Sequence, residues 1–159
     1  MSYTNKKYIV DNKTEKGTQK EFYEKVVQID RVTRTVKGGH RMRFRALVVV
    51  GDKKGKVGFG LAKASEVALA VAKATKNAKK KMVEIIIVND TIPHKIIYRD
   101  GAAHIIFQPA NKGKSVIAGG SVRPVVEAAG IKNIVAKIIG TNNKVANVRA
   151  TILALSQLK

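Results

Sequence analysis

With 159 residues the chain can build one ordinary domain or two small ones, too little for a large catalytic architecture. Hydrophobic residues make up 45% of it, which excludes wholesale disorder, and 31 Lys and Arg against 11 Asp and Glu leave a net charge of +20 that calls for a polyanion. No apolar run nears the roughly 18 residues that span a bilayer, Met1 to Lys20 lack the apolar centre of a signal peptide, and the absence of cysteine removes disulfides, iron–sulfur clusters and thiolate zinc sites. The expected setting is therefore soluble and cytoplasmic, with nucleic-acid phosphates as the polyanion, no membrane and no small-molecule substrate.

Residues 1–21 carry scattered charge without periodicity and are expected to be a mobile tail. From Val26 to Val36 the chain is rich in Val, Ile and Thr until Gly38-Gly39 interrupts it, the pattern of a strand that enters a hairpin. On the returning strand Arg41, Arg43 and Arg45 alternate with Met42, Phe44 and Ala46, so a period of two sets arginines on one face and apolar residues on the other before an unbroken apolar run to Val50. Gly51 to Gly55 reads as a turn and Lys56 to Gly60 as a short third strand. Ser65 is placed to cap a helix that opens with Glu66, with Val67, Val71, Ala74, Ala78 and Met82 as its apolar stripe and Lys73, Lys76, Lys79, Lys80 and Lys81 towards the far face and C-terminal end.

After Glu84 the pattern restarts with strand-like segments at Ile85 to Val88, His94 to Arg99 and Ala103 to Phe107, then a glycine-rich stretch from Asn111 to Ser121. A helix from about Val122 to Ala129 ends at Gly130, a strand follows from Asn133 to Ile139, and a last helix covers about Lys144 to Leu158. The fold class is α+β in two small units: residues 22–85, three strands and a helix, and residues 86–159, of mixed strands and helices. Residues 1–85 hold 21 Lys and Arg against 8 acids, and residues 86–159 hold 10 against 3, so the first unit is the main candidate for nucleic-acid binding.

Its candidate contacts are Arg31, Arg34, Lys37, Gly38, Gly39, His40, Arg41, Arg43, Arg45, Lys53, Lys54, Lys56 and Lys63, read as surrounding one glycine turn. Arginine forks grip phosphate oxygens in pairs, and bare glycine backbone approaches them closely. A merely solubilising face would intersperse acids, yet only Asp52 lies between Val32 and Ala64. RNA is preferred to DNA because no helix carries base-reading Asn, Gln and Arg, and aromatics at 5% leave no stacking platform, so folded RNA would be held by its backbone.

Enzymatic readings find little support. Gly113-Lys114-Ser115 ends like a phosphate-binding loop, but Gln108 stands at the first glycine position and Pro109 lies inside the loop. Gly58 and Gly60 lack the third glycine of a dinucleotide fingerprint, and Gly119-Gly120-Ser121 reads as a turn and cap. His40, His94 and His104 are far apart, so no metal and no cofactor is expected. The alternatives are a free double-stranded-RNA protein or RNA chaperone, which would sediment in light fractions, and a phosphotransferase built on Gly113 to Ser115, which would bind ATP with magnesium.

The blocks Arg31 to Gly39 (RVTRTVKGG), Ala46 to Asp52 (ALVVVGD), Lys56 to Gly60 (KVGFG), Gln108 to Ala110, Ala118 to Gly130 (AGGSVRPVVEAAG), Asn133 to Lys137 (NIVAK) and Val148 to Ile152 (VRATI) resemble the bacterial small-subunit ribosomal protein five family, in the same order over about residues 22 to 158. The resemblance implies a domain similar to a double-stranded-RNA-binding domain followed by a C-terminal α/β sandwich. It implies contact with small-subunit (16S) rRNA, a place beside ribosomal proteins four and eight at the head–body junction, and mRNA nearby at the channel where it enters. By the same resemblance Arg34 to Arg41 matches a hairpin that affects spectinomycin sensitivity. Gly113, Lys114, Ser115, Gly119, Gly120 and Arg123 fall in a loop beside protein four that influences decoding accuracy. Lys114-Ser115 departs from the family, which more often has a small residue followed by glycine, and contacts of the C-terminal tail that some members carry are not transferred.

Overall fold

The computed structural model describes residues 22–158, so the tail expected over residues 1–21 lies outside it. Three long strands, β1 (Tyr23–Val36), β2 (Gly39–Gly51) and β3 (Lys56–Ala64), run antiparallel, and helix α1 (Val67–Lys80) crosses back over them to a two-residue strand β4 (Val83–Glu84). The expected three-stranded sheet thus has a fourth, short edge strand, with Lys56 opposite Glu84 and Val57 opposite Val83. The segment expected as a strand at Ile85 to Val88 is a connector instead, closed by a single bridge between Val88 and Thr91.

Why α1 sits where it does follows from small residues. The expected stripe of Val67, Val71, Ala74, Ala78 and Met82 is replaced by Ala70, Ala74 and Ala78, all fully buried, while Val67 is exposed. These alanines face Gly58 and Gly60, where added Cβ atoms would meet the carbonyls of Ala78 and Ala74, so helix and sheet approach too closely for larger side chains. Glu66 occupies the N-cap position and no side chain, Ser65 included, caps the helix. The third strand runs beyond Gly60 to Ala64, where it pairs with Phe44 of β2.

Strands β5 (Ile96–Asp100), β6 (Ala103–Pro109), β7 (Val116–Ile117) and β8 (Ile134–Gly140) form a second sheet in the order β5-β6-β8-β7, antiparallel except for β7 beside β8. Helices α2 (Arg123–Ala129) and α3 (Lys144–Ser156) complete the α+β architecture. Gly130 closes α2 in the left-handed conformation at φ 95, and the Asn143 side chain caps α3 by accepting from the Val145 amide at 3.1 Å.

One core joins the two sheets. Ala46, Val48 and Val50 face α1, whereas Leu47, Val49 and Val57 face the other way, into a cluster with Ile105, Phe107, Val125, Ile134, Val148 and Leu155. The run Ala46–Val50 is apolar at every position because both of its faces are covered. Backbone bonds reinforce the junction: the amides of Lys53 and Gly55 donate to the carbonyls of Ala128 and Ala129 at 3.0 and 2.9 Å, satisfying the end of α2.

Candidate nucleic-acid interface

Strand β3 ends opposite Phe44, so β1 and β2 continue beyond it as a two-stranded arm. Val36 pairs with Gly39, which sets the turn at Lys37-Gly38, one residue earlier than the glycine pair suggests, and Gly38 takes φ 86 as the second central residue. Partners across strands share a face and neighbours along a strand alternate. Arg34 therefore stands beside Arg41, with Arg43 and Arg45 on the same face, and Lys63 opposite Arg45. Arg31 and His40 lie on the other face, with Met42 and Phe44. A Cβ at Gly38 or Gly39 would meet nothing within 4 Å, so the tip presents open backbone.

Electrostatically the arginines are not equivalent. Arg45 donates to Asp30 from Nε at 3.1 Å and from Nη2 at 2.7 Å, and Gln28 donates to the same carboxylate at 2.6 Å. Burial pushes the Asp30 carboxyl up, but those hydrogen bonds, joined by the charges of Arg45 and Lys144, hold it below its ordinary value. Among the described residues Arg31, Arg34, Arg41 and Arg43 have no ion-pair partner, and all four are exposed.

Lys53, Lys54 and Lys56 do not join this group. They lie past the opposite end of β2, thirteen residues from the turn, a separation of roughly 40 Å at 3.3 Å per residue. The cations expected around one glycine turn thus form two separate clusters, because β2 is a single extended strand with the turn at one end and the Gly51–Gly55 loop at the other. There Asp52 Oδ1 accepts from the amides of Lys54 and Lys56, and the Lys53 ammonium sits 4.5 Å from the centre of the Tyr23 ring. Beside the loop Glu127 receives Lys25 at 2.8 Å and Arg123 at 2.7 Å. Burial raises the Glu127 carboxyl, yet the hydrogen bonds and charges of Lys25 and Arg123 outweigh it and hold the group below its ordinary value. Lys25 is held above its own, chiefly by the hydrogen bond to Glu127.

The second candidate loop is built on a buried asparagine. Asn133 Oδ1 accepts from the amides of Gly113 at 3.1 Å and Ser115 at 3.2 Å, while the Lys114 amide donates to the Asn111 carbonyl. All three amides that a phosphate-binding loop would aim at a nucleotide are thus consumed internally. Ser115 takes φ 58, the left-handed setting that glycine adopts readily, so a side chain stands here where it is least welcome. Gly119 packs under Ile138, Gly120 is open, and Arg123 turns back onto Glu127; Ser121 is buried and caps nothing. The structure separates His40, His94 and His104 onto the arm, a turn and β6, and among the described residues no group of three His, Cys, Asp or Glu could hold a metal ion.

Asp30, Lys25, Glu127 and Asn133 were not singled out from the sequence. For Asp30 a signal existed, since it is the one acid between Glu24 and Asp52, and a turn centred on Lys37-Gly38 aligns it with Arg45.

Comparison with known proteins gives a consistent result over most of the chain. Residues 10–86 match the family described as ribosomal protein S5, N-terminal domain, and residues 98–159 match ribosomal protein S5, C-terminal domain. The chain is also 51% identical over 138 residues to the small ribosomal subunit protein uS5 of Lawsonia intracellularis (strain PHE/MN1-00), covering 87% of this chain and 85% of that protein.

Proposed function

Because the chain belongs to the ribosomal protein S5 family, a structural and non-enzymatic part of the small ribosomal subunit, we propose that it binds 16S rRNA through the β1–β2 arm and helps assemble and hold the head–body junction. In this reading residues 22–85 grip RNA and residues 86–159 dock on neighbouring proteins, four and eight, beside the channel that admits mRNA. Translational accuracy would depend on the loop from Gly113 to Arg123.

The observation that carries the reading is the arm itself. Arg34, Arg41 and Arg43 share one exposed face, free of carboxylate partners among the described residues, next to a backbone turn open to close approach. Phosphates suit that face better than bases do, because the guanidinium forks are in a row and no groove-reading helix accompanies them. Protein docking by the second unit is supported by the outer face of its sheet, where Ile97, Ile117 and Ile139 are exposed between Arg99 and Lys137.

A salt titration of binding to small-subunit rRNA, beside a generic RNA duplex and a DNA duplex of equal length, tests this. A preference for the rRNA that survives rising salt is expected. Equal and steeply salt-sensitive binding to all three would return the protein to a general polycation.

A further inference from the structure

The lysines of α1 are not explained by the arm. The stretch Val67–Val83 contains Lys73, Lys76, Lys79, Lys80 and Lys81 and no acid. Cations in the last turn complement the helix dipole, which accounts for Lys79 and Lys80 but not for Lys73 and Lys76. Lys79 is also spoken for, since it meets Glu24 at 3.0 Å and lies over the Phe22 ring at 5.2 Å, leaning to the β1 edge of the sheet. Lys73, Lys76 and Lys80 remain exposed, three and four residues apart on the flank away from that edge, where like charges repel. Glu66 at the N-cap is two turns from Lys73, and Glu84 belongs to the sheet edge beside Lys56.

The direction of this flank matters. Helix α1 covers the sheet face of Ala46, Val48 and Val50, and its lysines point away from that face. Arg34, Arg41 and Arg43 belong to the opposite face, the one that carries Leu47 and Val49 into the shared core. A single straight duplex laid on the arginines would not reach the lysines.

We propose that Lys73, Lys76 and Lys80 form a second phosphate-binding surface, which holds an RNA segment different from the one held by the arm and makes the first sheet a spacer between two RNA segments. Over seven residues the three ammonium groups span about 10 Å at 1.5 Å per residue, room for two or three successive phosphates of one strand. The inference rests on the rRNA-binding reading and extends it to a face of the molecule that the reading does not use.

Hydroxyl-radical footprinting of the full chain on small-subunit rRNA tests it, using K73Q/K76Q/K80Q and R34Q/R41Q/R43Q side by side with a salt titration of each. The helix variant should lose protection at one RNA segment, keep the protection lost by the arm variant, bind about tenfold more weakly and show a log–log salt slope smaller by about 2. K73R/K76R/K80R, which keeps the charges, should bind as the parent does. A helix variant with unchanged protections and slope, beside an arm variant that loses its own, overturns the second surface alone. An arm variant without effect overturns the reading beneath it. Loss of all protections by the helix variant, with its thermal unfolding unchanged, would merge the two surfaces into one and equally overturn the proposal.

Discussion

The two ends of strand β2 obey different physics. From Ala46 to Val50 the strand is buried between α1 and the shared core, and each side chain is fixed by neighbours on both faces. From Gly39 to Arg43 the same strand has, among the described residues, one partner, no covered face and a row of like charges. A two-stranded ribbon has little stability of its own, so the buried end supplies the order and the exposed end the charge. Stability and binding should therefore be separable along a single strand.

The sharpest way to break the buried end is Phe107→Ala, which removes the largest fully buried side chain from the core that joins both sheets. We expect a loss of about 3–5 kcal/mol by denaturant unfolding, in one transition and not two because the core is shared. Gly60→Ala attacks the seam between α1 and β3, where the new methyl meets the Ala74 carbonyl. It should cost about 1–3 kcal/mol, as overpacking against backbone does. At the exposed end, R34Q/R41Q/R43Q should leave unfolding within about 0.5 kcal/mol of the parent. The same variant should weaken rRNA binding at least tenfold, about 1.4 kcal/mol.

Glu127→Gln tests the junction beside the buried end and should cost about 1 kcal/mol at neutral pH, the upper range for exposed pairs. The Glu127 carboxyl is held below its ordinary value of 4.5, so its contribution is present above that pH and is lost as the pH falls through the lowered value. Unfolding of parent and variant, compared at pH 7 and near pH 3, should differ at the first and converge at the second. The smallest effect is expected from Ser115→Gly. Relief of a left-handed residue is worth roughly 1–2 kcal/mol, and the entropy of glycine takes back about 0.5–1, leaving a gain near 0.5 kcal/mol in thermal unfolding.

Much of this contrast was legible in residues alone. The alternation of Arg41, Arg43 and Arg45 with Met42 and Phe44 gave way to an unbroken apolar run at Ala46, which marks the point where one covered face becomes two. The family resemblance and the order of elements could also be read, down to Gly130 as the end of α2. What could not be read depends on tertiary approach. Valine outranks alanine in any count of apolar periodicity, yet the alanines of α1 are buried because Gly58 and Gly60 draw the helix close. The irregularity in β1 between Val26 and Gln28, which sets Val26 opposite Val48 and shifts the register of the strand's first residues, leaves no mark in composition. Nor does the pairing of Lys25 with Glu127, which are 102 residues apart. Lysines 53, 54 and 56 were grouped with the arm because they are near it in sequence, and an extended strand carries them away.

The separation of binding from stability is tested most directly by the salt dependence of rRNA binding for R34Q/R41Q/R43Q, with thermal unfolding recorded on the same sample. A log–log slope reduced by about 2 to 3 at an unchanged unfolding temperature is the predicted result. An unchanged slope, or a loss of binding that appears only together with unfolding, would contradict it.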